Sequence, residues 1–536
     1  MIVKNLFKTY KTKEVLDNVS FEINKNDKIG LVGINGCGKS TLLKILAGDE
    51  VADSGEINFV GNEKVSLLRQ EIDPALYNLT ILQYLKSQTG VEEIENQMHA
   101  LEQDLNEQNM DLYDELLNRF LTCDGYNFDS NVEYVLSGLK LNKPLDTAVG
   151  VLSGGEKIKL MLASILLSMG DILLFDEPTN NLDYNSVEFL VKYLKSINKA
   201  YIIVSHDEKF LDEVTSKTFE LKNGILTEFP YSCSKYLEIQ NLSYEQRKQR
   251  YIDAREQQTE IKNKLTTAKT ASSSGKSKPA KDNDKIGHDF KVGKGENKSG
   301  ALVKKLTRQL ENIEIDTEFR DKPVFDFRIN EAEDKTSKDI VLHDLICGYE
   351  KFSTCKFNLS IPFGTRVLIK GSNGSGKTTL IKTLLGELQP KSGDVFIGKG
   401  AKVGYIEQNT LANGKLDLDM LSYILESDTE IDKSFVYQIL NSFGVPYEEK
   451  DKLFRDFSAG QRTKINLAKL AINKVNVLIL DEPTNHLDMD ATQILYSALE
   501  SFKGTIIAVT HNMALIDHLH PDVVYDLDKC TLENTL

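Results

Sequence analysis

No stretch of the 536 residues approaches the roughly 18 uninterrupted apolar residues that a membrane-crossing helix needs, so no spanning domain is expected. The N-terminus, Met1 to Lys8, intersperses lysines with apolar residues. It lacks an apolar core followed by a small-residue cleavage site, which excludes a secretory signal as its reading. Cysteine is sparse: Cys37, Cys123, Cys233, Cys347, Cys355 and Cys530 are scattered, with no Cys-x-x-Cys pair. That usage predicts a reducing, cytoplasmic setting with neither a disulfide framework nor a zinc site. Positive charge is also in deficit, at 65 Lys and Arg against 80 Asp and Glu, a net −15 that on its own argues against a nucleic-acid binder. Against these absences stand 40% hydrophobic and 27% charged residues, ordinary for a globular protein. At roughly 100–200 residues per domain, the length allows two to four domains.

The chain repeats itself. Gly33-Ile-Asn-Gly-Cys-Gly-Lys-Ser40 recurs 338 residues on as Gly371-Ser-Asn-Gly-Ser-Gly-Lys-Thr378. Leu174-Phe-Asp-Glu-Pro-Thr-Asn-Asn-Leu-Asp183 recurs 305 residues on as Ile479-Leu-Asp-Glu-Pro-Thr-Asn-His-Leu-Asp488. The offsets differ by 33, so the first copy carries an insertion of about that length. Gln70 keeps the first offset to Gln408 and Ser153 keeps the second to Ser458, which places the insertion between Gln70 and Ser153. The organisation expected is a first domain over 1–232 with a helical insertion at about 83–120, a connector over 233–338, and a second domain over 339–536.

Each Gly-rich loop follows a short apolar run and precedes a helical pattern, the phosphate-binding unit of a parallel α/β sheet. Such a loop aims backbone N–H groups at a phosphate from a helix start, and glycine lets the chain approach closely. The candidates are Gly33, Asn35, Gly36, Gly38, Lys39, Ser40 and Thr41 in the first copy, and Gly371, Asn373, Gly374, Gly376, Lys377, Thr378 and Thr379 in the second. The lysines would reach the β/γ-phosphates, and the Ser40 and Thr378 hydroxyls would hold Mg²⁺. Ile172–Glu177 and Val477–Glu482 are apolar strands ending in two carboxylates, at the strand end where α/β ligands bind. Asp176 and Asp481 suit Mg²⁺, while Glu177 and Glu482 suit activation of an attacking water. Leu152-Ser-Gly-Gly-Glu-Lys157 and Phe457-Ser-Ala-Gly-Gln-Arg462 read either as plain helix N-caps or as helix starts that present N–H groups to a γ-phosphate. His206 and His511 follow apolar strands at equal spacing from the carboxylate pairs.

Loop, signature, Asp-Glu and histidine, in that order and twice over, resemble the ATP-binding cassette superfamily. The resemblance implies an α/β fold of two P-loop ATP-binding cassette domains joined by a helical-hairpin (coiled-coil) linker, and an ATPase using ATP and Mg²⁺. It implies a monomer whose cassettes pair within the chain, the signature of one completing the ATP site of the other. Lys39, Ser40, Gln70, Asp176, Glu177 and His206 would face Ser458, Ala459 and Gly460. Lys377, Thr378, Gln408, Asp481, Glu482 and His511 would face Ser153, Gly154 and Gly155. Tyr10 and Tyr349 match the aromatic stacked on adenine, and Gln70 and Gln408 the glutamine that senses Mg²⁺ and γ-phosphate. Departures are Ala459 for glycine, Glu156 against Gln461, Asn181 against His486, and Asn512 after His511 where the first copy has Asp207. They allow the two sites to differ in rate.

With no spanning domain and a long charged connector, the chain resembles the ABC-F family, which acts on ribosomes. The continuations Asn180–Asp183 and Asn485–Asp488, and the run Tyr231–Leu237, fit that family. Lys262–Arg308 holds thirteen Lys/Arg and four Asp/Glu, a net +9 against −24 for the rest. Tyr251, Ala254, Ile261, Leu265 and Ala268 before its tip, and Leu302, Leu306, Leu310 and Ile313 after it, keep a heptad-like spacing for two antiparallel helices. The tip, 272–299, carries the candidates Lys285, Phe290, Lys291, Val292 and Lys294 for RNA contact; a solvated linker is the alternative. Val91–Arg119, with nine acids and one base, suits a basic protein surface or is a solvated acidic helix pair. The long connector and short insertion resemble the Vga/Lsa/Vml-type resistance proteins. That resemblance implies binding at the ribosomal exit site, with large-subunit rRNA, P-site tRNA and a basic ribosomal protein as partners. Two other readings remain, a housekeeping ABC-F translation factor and the ATPase subunit of an exporter with a separate permease.

Overall fold

The computed structural model describes residues 1–534 except 12, 62, 70, 104–108, 123, 181, 275–300, 314–336, 351, 407–416, 426–431, 444, 474, 486 and 488. Gln70, Gln408, Asn181, His486 and the tip candidates Lys285, Phe290, Lys291, Val292 and Lys294 lie outside the described residues.

The described residues of the first half form nine strands: β1 (Ile2–Tyr10), β2 (Lys13–Glu22), β3 (Lys28–Val32), β4 (Ser54–Asn58), β5 (Val65–Leu67), β6 (Ile172–Asp176), β7 (Ala200–Val204), β8 (Lys217–Lys222) and β9 (Ile225–Phe229). They form an antiparallel sheet ordered β2-β1-β4 and a six-stranded sheet ordered β5-β6-β7-β3-β8-β9, parallel except for β9. The second half contributes β10 (Ile340–Ile346), β11 (Gly348–Tyr349), β12 (Phe352–Ser353), β13 (Phe357–Ile361), β14 (Arg366–Lys370), β15 (Ser392–Ile397), β16 (Val403–Ile406), β17 (Val477–Asp481), β18 (Thr505–Val509), β19 (Val523–Asp526) and β20 (Thr531–Asn534). Its sheets run β13-β10-β15 and β16-β17-β18-β14-β19-β20, so the sequence repeat is also a repeat of topology.

The central strands read as continuous apolar runs because helices cover both faces of a parallel sheet. Ile172–Phe175 and Ala200–Val204 are buried throughout, as are Val477–Asp481 and Thr505–Val509. At about 1.5–3 kcal/mol per large apolar side chain, each such strand outweighs any single cap or ion pair nearby. The functional side chains at the strand ends therefore stand on a rigid platform.

Two helices of the first half, Val91–Glu102 and Met110–Thr122, have no counterpart among the described residues of the second. They fall between helices that do match, Ile81–Thr89 with Met420–Leu425 and Phe128–Gly138 with Lys433–Ser442. The connector starts in the helix Cys233–Ser274, whose 42 residues span roughly 60 Å at ~1.5 Å per residue. Residues 301–311 are helical again. Along the first helix Tyr251, Ala254, Ile261 and Leu265 are half-buried and Ala268 is buried, all on the predicted seam. On the second, Leu302 is exposed, whereas Val303 and Leu310 are half-buried and Leu306 is buried.

One expectation is overturned. Cys355 and Cys530, 175 residues apart, form a disulfide with Cα atoms 6.2 Å apart. The turn after β19 folds under the second phosphate loop, where Asp528 accepts from the Ser372 amide at 2.8 Å, and this brings the two cysteines together. Cys37, Cys233 and Cys347 are free and buried. Among the described residues no helix is long and apolar enough to cross a membrane.

Candidate active site

Each phosphate loop turns from a buried strand, β3 or β14, into a helix, Lys39–Ala47 or Lys377–Leu384. The residue before each helix must be glycine. Gly38 sits at φ 109°, and a Cβ there would lie 2.5 Å from Val15 Cγ1; Gly376 at φ 101° would meet Thr354 Cγ2 at 2.5 Å. The lysine that follows curls back over its own loop. Lys39 Nζ donates to the Gly33 carbonyl at 2.7 Å and Lys377 Nζ to that of Gly371 at 2.8 Å. Burial holds the Lys377 ammonium below its usual range. Thr378 Oγ1 donates to Asp481 Oδ2 at 3.0 Å, joining a hydroxyl and a carboxylate at one point. Oxygen donors of that kind suit a hard divalent cation.

Glu177 and Glu482 both adopt left-handed backbone, φ 51° and 48°. Such a conformation costs a non-glycine residue roughly 1–2 kcal/mol. The Glu177 amide donates to Val204 O and that of Glu482 to Val509 O, each at 2.9 Å. A net hydrogen bond supplies about 0.5–1.5 kcal/mol, enough to offset the strain without removing it. Strain repeated at equivalent carboxylates points to a functional demand on their direction. Burial pushes the Glu177 carboxyl up to about 8, with neighbouring Asp176 adding to it. Burial likewise pushes Glu482 up to about 8, against the pull of the His511 amide and Lys377. Glu177 Oε1 and Glu482 Oε1 are buried without a hydrogen-bond partner.

The histidines stand at these same oxygens. His206 Nε2 is 3.2 Å from Glu177 Oε1, and His511 Nε2 is 3.4 Å from Glu482 Oε1, in close approach but without hydrogen-bond geometry. His511 is held down to about 3 by burial and by Lys377, so its imidazole is neutral. Its Nδ1 accepts the Tyr184 amide at 3.1 Å. The ring proton is therefore on Nε2, directed towards the carboxylate.

Tyr184 belongs to the first half and His511 to the second, so the halves meet at the site. Lys370 Nζ also lies 4.6 Å from the Tyr184 ring centroid. A cavity of about 920 Å³ is lined by Tyr349, Asn373, Gly374, Gly376, Lys377, Thr378, Thr379, Asp481, Glu482 and His511, and from the first half by Gly155. The same cavity reaches Asn35, Gly36, Glu177 and His206 together with Ser458 of the second half. A second cavity, about 670 Å³, is lined by Tyr10, Asn35, Gly36, Gly38, Lys39, Ser40, Thr41, Asp176, Glu177 and His206. Gly33, Gly371, Ser153 and Gly154 line neither.

The helix-cap reading of the signature serines has a structural counterpart. Ser153 and Ser458 cap the helices Gly154–Leu166 and Ala459–Ile472, and each N3 side chain, Glu156 or Gln461, reaches back to the cap amide. The Glu156/Gln461 difference is thus two ways of closing one capping box. Sequence reasoning missed the Tyr184–His511 contact and the strained carboxylates. It also passed over Lys159, buried 3.6 Å from the buried Asp183, which caps the helix Tyr184–Ser196. The departure at Asn512 also acquires a structure: Asp207 and Asn512 both cap the helix that follows them.

The ABC transporter family profile matches residues 16–180 and 355–485. The chain is 31% identical over 530 residues to the uncharacterized ABC transporter ATP-binding protein YfmM of Bacillus subtilis, covering 95% of each chain. It is 31% identical to the probable ATP-binding protein YheS of Escherichia coli K12, over 96% of this chain and 77% of that one. It is 30% identical to ABC transporter F family member 5 of Arabidopsis thaliana, over 98% and 75%. Among solved structures, archaeal aABCE1, described as a ribosome recycling factor and seen in complex with the stalk protein aP1, aligns with a TM-score of 0.58. The identity is 19%, over 97% of this chain and 87% of that one, a likeness of fold.

Proposed function

The chain belongs to the ABC transporter family, carries its ATP-binding domain twice and is an ATPase homologous to YheS and F-type members; from that premise we propose that it is an ATP-driven clamp that works on the ribosome. The observation that carries the clamp is the shared cavity, in which Lys377 and Glu482 of one cassette stand with Gly155 of the other. ATP held there would bridge the halves. Lys39 and Lys377 would turn from their loop carbonyls to the phosphates, and the Ser153 and Ser458 helix starts would complete the opposite sites. Tyr10 and Tyr349 would stack on adenine. Glu177 and Glu482 would orient and deprotonate the attacking water, with His206 and His511 contacting the γ-phosphate. Mg²⁺, held by Ser40 and Asp176 or by Thr378 and Asp481 with Gln70 or Gln408, would neutralise phosphate charge.

The ribosome reading rests on the connector. A net +9 over Lys262–Arg308 in an otherwise acidic chain suits RNA phosphates, and aABCE1, whose fold is similar, is itself a ribosome recycling factor. In its finer form the proposal is protection. The clamp binds at the exit site, the connector tip reaches the peptidyl-transferase region through Lys285, Phe290, Lys291, Val292 and Lys294, and bound drug is displaced. Expression in a susceptible host challenged with a lincosamide, a pleuromutilin and a streptogramin A tests this. Raised inhibitory concentrations support protection, and unchanged ones with retained ribosome cosedimentation leave a housekeeping translation role. Retention in the membrane fraction without cosedimentation would instead assign the chain to an exporter.

A further inference from the structure

The histidine of the first cassette is followed by Asp207, and this one carboxylate is shared between the two cassettes. Its Oδ1 accepts the Phe210 amide at 3.0 Å, capping the helix Glu208–Val214. Its Oδ2 accepts the Met513 amide at 2.7 Å, the first residue of the helix Met513–Leu519 in the second cassette. A further link ties the same pair of helices, Lys209 to Asp517 at 2.6 Å, and Glu208 accepts from Gln493 of a neighbouring helix of the second cassette, Met489–Ser501. The helix Glu208–Val214 thus rides on the opposing cassette at its N-terminal end, beside the nucleotide-site histidine.

Its other end has a different task. Asp212 Oδ1 accepts the Ser234 amide at 2.8 Å, in the first turn of the helix Cys233–Ser274 from which the connector is built. Cys233 is fully buried, and Phe210, Leu211 and Val214 are buried with it. The repeat makes this use specific. Asp212 corresponds to Asp517, 305 residues on, and there the equivalent carboxylate pairs with Lys209. At 512, beside the Met513 amide that Asp207 holds, a second, half-buried acid would repel Asp207. The neutral Asn512 instead caps its own helix through Leu515 at 2.7 Å.

We propose that the helix Glu208–Val214 is the coupling element of the protein: Asp207 fixes it to the opposing cassette at the nucleotide site, and Asp212 passes its displacement to the connector helix through the Ser234 amide. Asp207 and Asp212 are positioning residues, and neither touches the reacting atoms. Closure of the cassettes carries the short helix with it, and the long helix amplifies a small rotation at Cys233. This inference rests on the ATP-driven clamp proposed above and adds the path from nucleotide to connector.

The test measures the distance between spin labels at Val51→Cys, 81% exposed on the first cassette, and Lys269→Cys on the connector helix, in the full chain. Glu177→Gln and Glu482→Gln hold ATP, and the distance is read with and without ATP and Mg²⁺. The parent is expected to show an ATP-dependent shift of several ångströms. Asp212→Ala should cut that shift at least by half while ATP turnover, measured with Glu177 and Glu482 restored, stays within twofold. Asp212→Asn, which keeps an acceptor oxygen, should retain the shift. Ser234→Pro removes the donor N–H in a first turn that tolerates proline, and should reproduce the Asp212→Ala result without touching Asp212. A full shift in both Asp212→Ala and Ser234→Pro overturns the coupling path and leaves the clamp standing. Absence of any shift in the parent also overturns the path, and it leaves the clamp standing, because this pair of labels reads the connector against the first cassette and not the closure of one cassette on the other.

Discussion

Gly38 offers a quantitative check on the phosphate loop. Replacing it with alanine puts a Cβ at φ 109°, 2.5 Å from Val15 Cγ1 and 3.1 Å from the Val15 carbonyl. The backbone term is about 1–3 kcal/mol and the overpacking term about 1–3 kcal/mol, so some 3–4 kcal/mol opposes the native loop. At ~1.4 kcal/mol per decade, that is a loss of about 10²–10³-fold in ATP affinity if the loop relaxes to a non-binding shape. Gly36 is the control. It also has positive φ, 75°, but a Cβ there meets nothing within 4 Å, so Gly36→Ala should lose only about 5–30-fold from a ~1–2 kcal/mol backbone cost. Val15→Ala in the Gly38→Ala background removes the nearer clash and should recover part of the loss. Binding of a fluorescent ATP analogue, in a Lys377→Ala chain that isolates the first site, measures all three. If Gly38→Ala binds as well as Gly36→Ala, the reasoning from close approach fails.

Glu177→Gln with Glu482→Gln should slow phosphate release by about 10²-fold or more while ATP stays bound and the protein stays on ribosomes; rapid dissociation of that double variant would count against the clamp. Asp183→Ala, which strips Lys159 of its buried partner, should destabilise the fold by roughly 3 kcal/mol at pH 7. The Asp183 carboxyl is held below its ordinary range by the Ser186 amide and Lys159, which outweigh the opposing effect of burial. Its contribution is therefore complete above the unfolded carboxylate value of about 3.9 and disappears as pH falls through the lower folded value, so thermal melts of variant and parent should converge in acid. Glu156→Gln should shift the urea midpoint little, because glutamine closes the same capping box at 461, whereas Ser153→Ala should cost about 1 kcal/mol.

The phosphate loops, carboxylate pairs and histidines were legible because each lies at a strand end where hydrophobic periodicity stops and a short polar motif starts. The repeat then aligned them twice. Contacts between segments far apart in the chain were not legible. Nothing near Tyr184 announces that its amide meets His511, 327 residues on. Nothing near Cys355 announces Cys530, because both come together only when β19 and its following turn pack under the second loop. The second connector helix shows a smaller failure. Leucine spacing favoured Leu302, but Val303 is the more buried of the two, a choice that the spacing alone does not make.

The left-handed backbone at Glu177 and Glu482 has an evolutionary corollary. Glycine at either position would relieve the torsional cost and eliminate a buried carboxyl oxygen that no donor satisfies. Stability and the function proposed for these carboxylates therefore pull in opposite directions at the same two positions. Selection for folding or expression alone would favour that exchange, so glutamate at both strand ends is expected to persist only under a separate functional demand.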